Sequence, residues 1–97
     1  MSVLIELSIF PMDKGVSLSP YVARALAVIR ESGLPYELGP MGTCIEGEWD
    51  AVMAVVDRCF RELSRDCDRI NVSIKADYRN GAAGRLHGKV ASVRAKL

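Results

Sequence analysis

From Arg69 to Tyr78 the side chains alternate without a break. Ile70, Val72, Ile74, Ala76 and Tyr78 fall on one side, and Arg69, Asn71, Ser73, Lys75 and Asp77 on the other. Strict period two over this length predicts a strand with one buried face. A lone strand has no ladder partners and nothing to cover its apolar side, so the rest of the chain must supply both.

Residues 3–10, "VLIELSIF", supply a second strand ending at Pro11, with Val3, Ile5, Leu7 and Ile9 on one face and Leu4, Glu6, Ser8 and Phe10 on the other. "SLSPYVARALAVIRESG" predicts an amphipathic helix with Ser19 as N-cap, Pro20 at the first helical position and Gly33 past its end. Val22, Ala25, Leu26 and Ile29 form its stripe. "PYELGPMGTCIEG" reads as a β-hairpin around Gly39, Pro40, Met41 and Gly42. A longer helix follows, with Trp49, Val52, Met53, Val56, Cys59, Phe60 and Leu63 at helical spacing and Glu48 and Asp50 favouring its N-terminal dipole. After the alternating strand, an Asn-Gly turn leads to a short helix with Leu86, Val90, Val93 and Leu97 as its stripe; Gly84 and Gly88 weaken it.

The order is β-α-β-β-α-β plus a helix, the α+β ferredoxin-like sandwich with a four-stranded antiparallel sheet. Both helices are expected on one sheet face, the first and last strands in the centre, and the second face open. With 97 residues, 49% of them hydrophobic, one domain spanning 1–97 is expected. A net charge of +1 and 26% charged residues exclude a polyanion-binding or disordered character for the whole chain. All acidic residues lie at or before Asp77, so the C-terminal end is basic, which a solvated helix face explains as well as an anionic partner.

Cys44, Cys59 and Cys67 are odd in number and form no CxxC pair, and His87 is the sole histidine, so neither a disulfide framework nor a metal site is expected. The apolar N-terminus carries Glu6 and no basic leader, and no stretch reaches the roughly 18 apolar residues of a membrane span. A cytoplasmic setting without membrane contact follows as the expectation.

On the open face the alternation places Glu6 and Ser8 with Asn71, Ser73, Lys75 and Asp77, bordered by Leu4 and Phe10. Cys44 and Glu46 share one face of the hairpin's second strand, Thr43 and Ile45 the other. Acids, a lysine, hydroxyls and a few apolar groups suit a pocket for a small polar molecule. They suit equally a solvated sheet with cross-strand ion pairs. Thr43 and Glu46 also have the spacing of a capping box, but Cys44 and Ile45 continue a strand and Gly47 interrupts before the helical stripe begins.

"ELSIFP", "SPYVARAL", "YELGPMGTCIEGEWDAVM" and "RINVSIKADYR" together resemble the small thiamine-binding domain family over almost the whole chain. The most specific element is Gly-Pro-x-Gly-Thr-x-x-Glu-Gly at 39–47, joined by Lys75, Asp77 and Arg79. The resemblance implies a ferredoxin-like subunit that pairs through its sheets into a homodimer or homotetramer. It also implies binding of thiamine or its hydroxymethylpyrimidine moiety without catalysis. It marks Glu6, Ser8, Thr43 and Glu46 as ligand contacts, while Lys75 and Asp77 match the last-strand motif and serve ligand, structure or assembly. Thr43 is either re-aimed toward the ligand by a bulge or satisfies turn backbone.

The leading expectation is a non-catalytic carrier, store or sensor, with Asn71 or Ser73 completing the ligand's hydrogen bonds on the open face near a subunit interface. The alternative is a regulatory or assembly domain that oligomerises through its sheet and binds an amino acid or nothing. An RNA-recognition module shares the element order but needs stacking aromatics on the central strands, where only Phe10 is offered. No activated nucleophile, catalytic residue or cofactor motif stands out, so no enzyme is expected.

Overall fold

The computed structural model describes residues 2–81 and 84–97. Strand β1 (Ser2–Pro11) is followed by helix α1 (Ser19–Glu31), the hairpin strands β2 (Tyr36–Leu38) and β3 (Thr43–Glu48), helix α2 (Trp49–Ser64), strand β4 (Ile70–Tyr78) and helix α3 (Arg85–Arg94). The four strands form one antiparallel sheet in the order β2-β3-β1-β4, the ferredoxin-like α+β plan.

The core lies where β1 and β3 meet the two long helices. Val3, Ile5, Leu7 and Ile9 of β1 and Ile45 of β3 pack against Ala25 and Ile29 of α1 and Val52, Val55, Val56, Cys59 and Leu63 of α2. The Cys59 thiol donates to the Ala25 carbonyl at 3.5 Å, and Arg24 reaches from α1 to Glu62 and Asp66, fastening one helix to the other. Trp49 and Phe60, expected on the buried stripe, are instead 45% exposed. The stripe that meets the sheet runs through Val55, and these two rings fall at its margins.

Two further expectations are corrected. β1 and β3 occupy the centre, whereas β4 pairs with β1 alone and forms an edge. The helices converge on β1 and β3, so the apolar alternates of β4 lack a covering layer: Val72 is 39% and Ile74 42% exposed. The N-cap of α1 is Leu18, with Ser19 inside the helix and no side-chain cap; Pro20 in the first turn removes one N–H that a cap would otherwise serve.

Candidate functional site

The hairpin motif is held together by what its glycines leave out. A Cβ on Gly39 would lie 2.9 Å from the Gly42 carbonyl oxygen, which accepts the Gly39 N–H at 2.8 Å. A Cβ on Gly42 would meet the Leu7 carbonyl and the Glu6 side chain, each at 3.1 Å, and one on Gly47 would press on Leu34 and Val52. None of the three has a positive φ, so each position selects glycine for space alone.

This tight turn ends β3 at Thr43, opposite Leu7. β1 runs on to Pro11 against β4, so its last residues have no neighbour on the hairpin side. The gap opens into a cleft of about 250 Å³ between β1, α1 and the turn. Leu18, Val22, Leu26, Ile29, Leu38 and Met41 wall it, and among the described residues no charged side chain lines it. Thr43 is 6% exposed and lines the cleft, and its hydroxyl has no hydrogen-bond partner among the described residues; Ser8 borders the cleft with its side chain on the open-face side of β1. Thr43 therefore sits on the helix side, as alternation requires, without a bulge.

On the open face the registers place Glu6 between Cys44 and Lys75, Leu4 between Glu46 and Asp77, Ser8 beside Ser73 and Phe10 beside Asn71. Glu37 lies next to Cys44, whose thiol is pushed up by its burial and then by the Glu6 and Glu37 carboxylates. Glu6, Asn71, Ser73 and Lys75 are exposed, and Ser73 approaches the Asn71 amide oxygen at 3.5 Å.

Glu46 and Asp77 are already engaged. Glu46 is 6% exposed, and its carboxylate accepts the N–H groups of Arg85 at 2.9 Å and Leu86 at 3.2 Å. The N-cap of α3 is Gly84, which has no side chain to offer, so a carboxylate from β3 receives the first helical donors. Asp77 holds the same helix through Arg85 at 3.0 Å and through Lys89, and these cations keep its carboxyl below the usual aspartate range, the Lys89 hydrogen bond first. α3 thus covers one end of the open face, and Leu86 is the residue it buries.

Among the described residues no group of histidine, cysteine and carboxylate side chains can hold a metal ion, and no helix is long and apolar enough to cross a membrane. The sequence reading missed the cleft's walls, because Val22, Leu26 and Ile29 read as core stripe and Met41 as turn.

The family described as thiamine-binding protein matches residues 5–94. A UPF0045 protein of Mycobacterium bovis is 39% identical over 94 residues, 96% of this chain and 92% of that one. The crystal structure of a hypothetical protein of Methanocaldococcus jannaschii has a TM-score of 0.89 at 31% identity, over 96% of each chain. A Thermotoga maritima structure, provisionally assigned to thiamine biosynthesis or salvage, has a TM-score of 0.85 at 28% identity, covering 97% of this chain and all of that one.

Proposed function

This chain belongs to the thiamine-binding protein family, and we propose that it binds thiamine or the free hydroxymethylpyrimidine without catalysing a reaction. The observation that carries the reading is the cleft behind the Gly-Pro-Met-Gly-Thr turn: uncharged, apolar-walled, and lined by Thr43, whose hydroxyl has no partner among the described residues. At about 250 Å³ it falls just below the roughly 300 Å³ where sites for larger ligands begin. One heteroaromatic ring fits inside and a second remains at the mouth.

The pyrimidine is therefore assigned to the cleft, with Thr43 as its hydrogen-bonding side chain and Ser8 at the open-face rim. Glu6, whose side chain packs against Gly42, is the carboxylate proposed to meet a cationic ring outside. This places the ligand at the end of β1 rather than over Glu46 and Asp77, which are occupied by α3. Calorimetric titration of the folded protein with thiamine and with hydroxymethylpyrimidine tests the reading. Saturable heat with either supports it, and a flat titration up to millimolar ligand with both removes it.

The proposed macromolecular partner is a second copy of the chain. β4 is a nine-residue edge strand with Val72, Ile74 and Tyr78 exposed, and long apolar edges of this kind are paired or covered in stable proteins. Pairing through the sheet serves both a ligand carrier and an assembly domain, and light scattering of the wild type against Ile74→Lys reads it. The three free thiols suit a reducing cytoplasm, the proposed location.

A further inference from the structure

The cleft contains a donor and an acceptor that no side chain supplies. Met12 donates its N–H to the Arg69 carbonyl at 2.7 Å, which continues the β1–β4 register by one pair. In an antiparallel ladder the peptide groups of alternate residues turn to opposite neighbours. Residues 4, 6, 8, 10 and 12 of this strand therefore face β4, and the odd-numbered residues face the hairpin. The hairpin agrees independently. The Gly39 N–H bonds to Gly42 and the Glu46 N–H to Pro35, so even positions of β3 face β2 and Thr43 faces Leu7.

On the hairpin side Val3, Ile5 and Leu7 lie opposite Gly47, Ile45 and Thr43. Pro11 has no N–H to offer. Ile9 remains, with its N–H and C=O both turned toward the space that β3 would fill had the turn not ended it. Among the described residues no turn or loop hydrogen bond reaches either group, and Ile9 lines the cleft.

We infer that the Ile9 peptide is the reading edge of this site, pairing with a flat, uncharged ring that carries a hydrogen-bond acceptor next to a donor. A ring nitrogen accepts from the Ile9 N–H and an adjacent amino group donates to the Ile9 carbonyl, as a neighbouring strand would. Thr43 adds a third polar group, and the apolar walls exclude water from all three. The absence of charged lining residues means that a phosphate or a cationic ring gains nothing inside the cleft, so the ligand class is a neutral amino-azine and its charged appendages stay outside.

This inference rests on the proposed binding function, and the test separates the two. Calorimetry compares hydroxymethylpyrimidine with its analogue lacking the 4-amino group, while amide hydrogen exchange of the wild type follows Ile9 with and without each compound. Loss of the amino group is expected to weaken binding about tenfold, as one unpaired carbonyl implies. The parent compound is expected to slow exchange at Ile9 selectively, and Thr43→Val to bind more weakly while folding normally. Equal affinity of the two compounds, or tight binding with the Ile9 amide unprotected, overturns the inference and leaves the binding function standing. No binding by either compound overturns both.

Discussion

Replacing Glu46 with alanine tests the claim that α3 is held by a carboxylate on another element. Two backbone N–H groups lose an ionised acceptor, at 2.9 and 3.2 Å in the wild type. Hydrogen bonds to charged groups are worth about 1.5–3 kcal/mol each, but donors at a helix start recover water when a cap is lost, and measured cap deletions cost about 0.5–2 kcal/mol. The buried position of Glu46 and of the Leu86 N–H limits that recovery, which puts Glu46→Ala near the upper end, about 2–3 kcal/mol. For a domain of this size that is a fall in Tm of about 8–24 °C.

Glu46→Gln keeps the side chain's volume and one acceptor oxygen, so it should lose about half as much, about 1–1.5 kcal/mol. Guanidinium unfolding measures the energies, and hydrogen exchange at Arg85 and Leu86 locates the effect. The amides of β1 should keep their relative protection while those two lose theirs first. If Glu46→Ala unfolds within about 0.5 kcal/mol of the wild type, the range of an ordinary surface change, the capping role is wrong. Destabilisation with unchanged relative protection at Leu86 would refute it equally, because the loss would then arise inside β3.

Asp77 predicts a pH dependence. Its folded carboxyl is held below the ordinary aspartate range by Lys89 and then Arg85, so its contribution is full above the unfolded value of about 4 and disappears as pH falls through the lower folded value. The stability difference between wild type and Asp77→Asn should therefore shrink on acidification below about pH 4, and a difference that grows there contradicts the pairing. The Cys59 thiol is pushed up to about 11 by burial, so native-state labelling with a disulfide reagent should leave it intact until the protein unfolds; peptide mapping that finds it modified early refutes this. Gly39→Ala forces a Cβ against the Gly42 carbonyl and should cost about 1–3 kcal/mol. Gly88→Ala, in exposed α3 with nothing near its Cβ, should stabilise by about 0.5–1 kcal/mol; the same sign for both variants would undo the steric account of the turn.

The periodicities of the chain located every strand and helix, because each alternation or stripe records which side chains share a face. They do not record whether another layer lies over that face. β4 shows the difference: Val72, Ile74 and Tyr78 alternate as a buried strand would, yet the strand sits at the edge, and its partners are decided by which strands the helices straddle. Glu46 shows another limit of local spacing. Thr43 and Glu46 were spaced as a capping box, and Glu46 does cap a helix, but one whose first residue lies 39 positions away. The missing clue was at the receiving end, where Gly84 begins a helix with no side chain to receive its first N–H groups.

Ile9 escaped for a third reason. Judged by its side chain it is core, and it is indeed buried; its further role belongs to its peptide, which no side-chain pattern describes. The signal lay in lengths. A first strand of ten residues beside a hairpin strand of six must leave part of one edge unpaired, and two glycines that tolerate no Cβ fix where that pairing stops. Proline at position 11 removes one donor from the stretch beyond the last hairpin pair, and alternation turns residues 8 and 10 toward β4. Ile9 is then the residue whose N–H and C=O both face the cleft, so the site's polar edge follows from strand length and glycine placement before any side chain is considered.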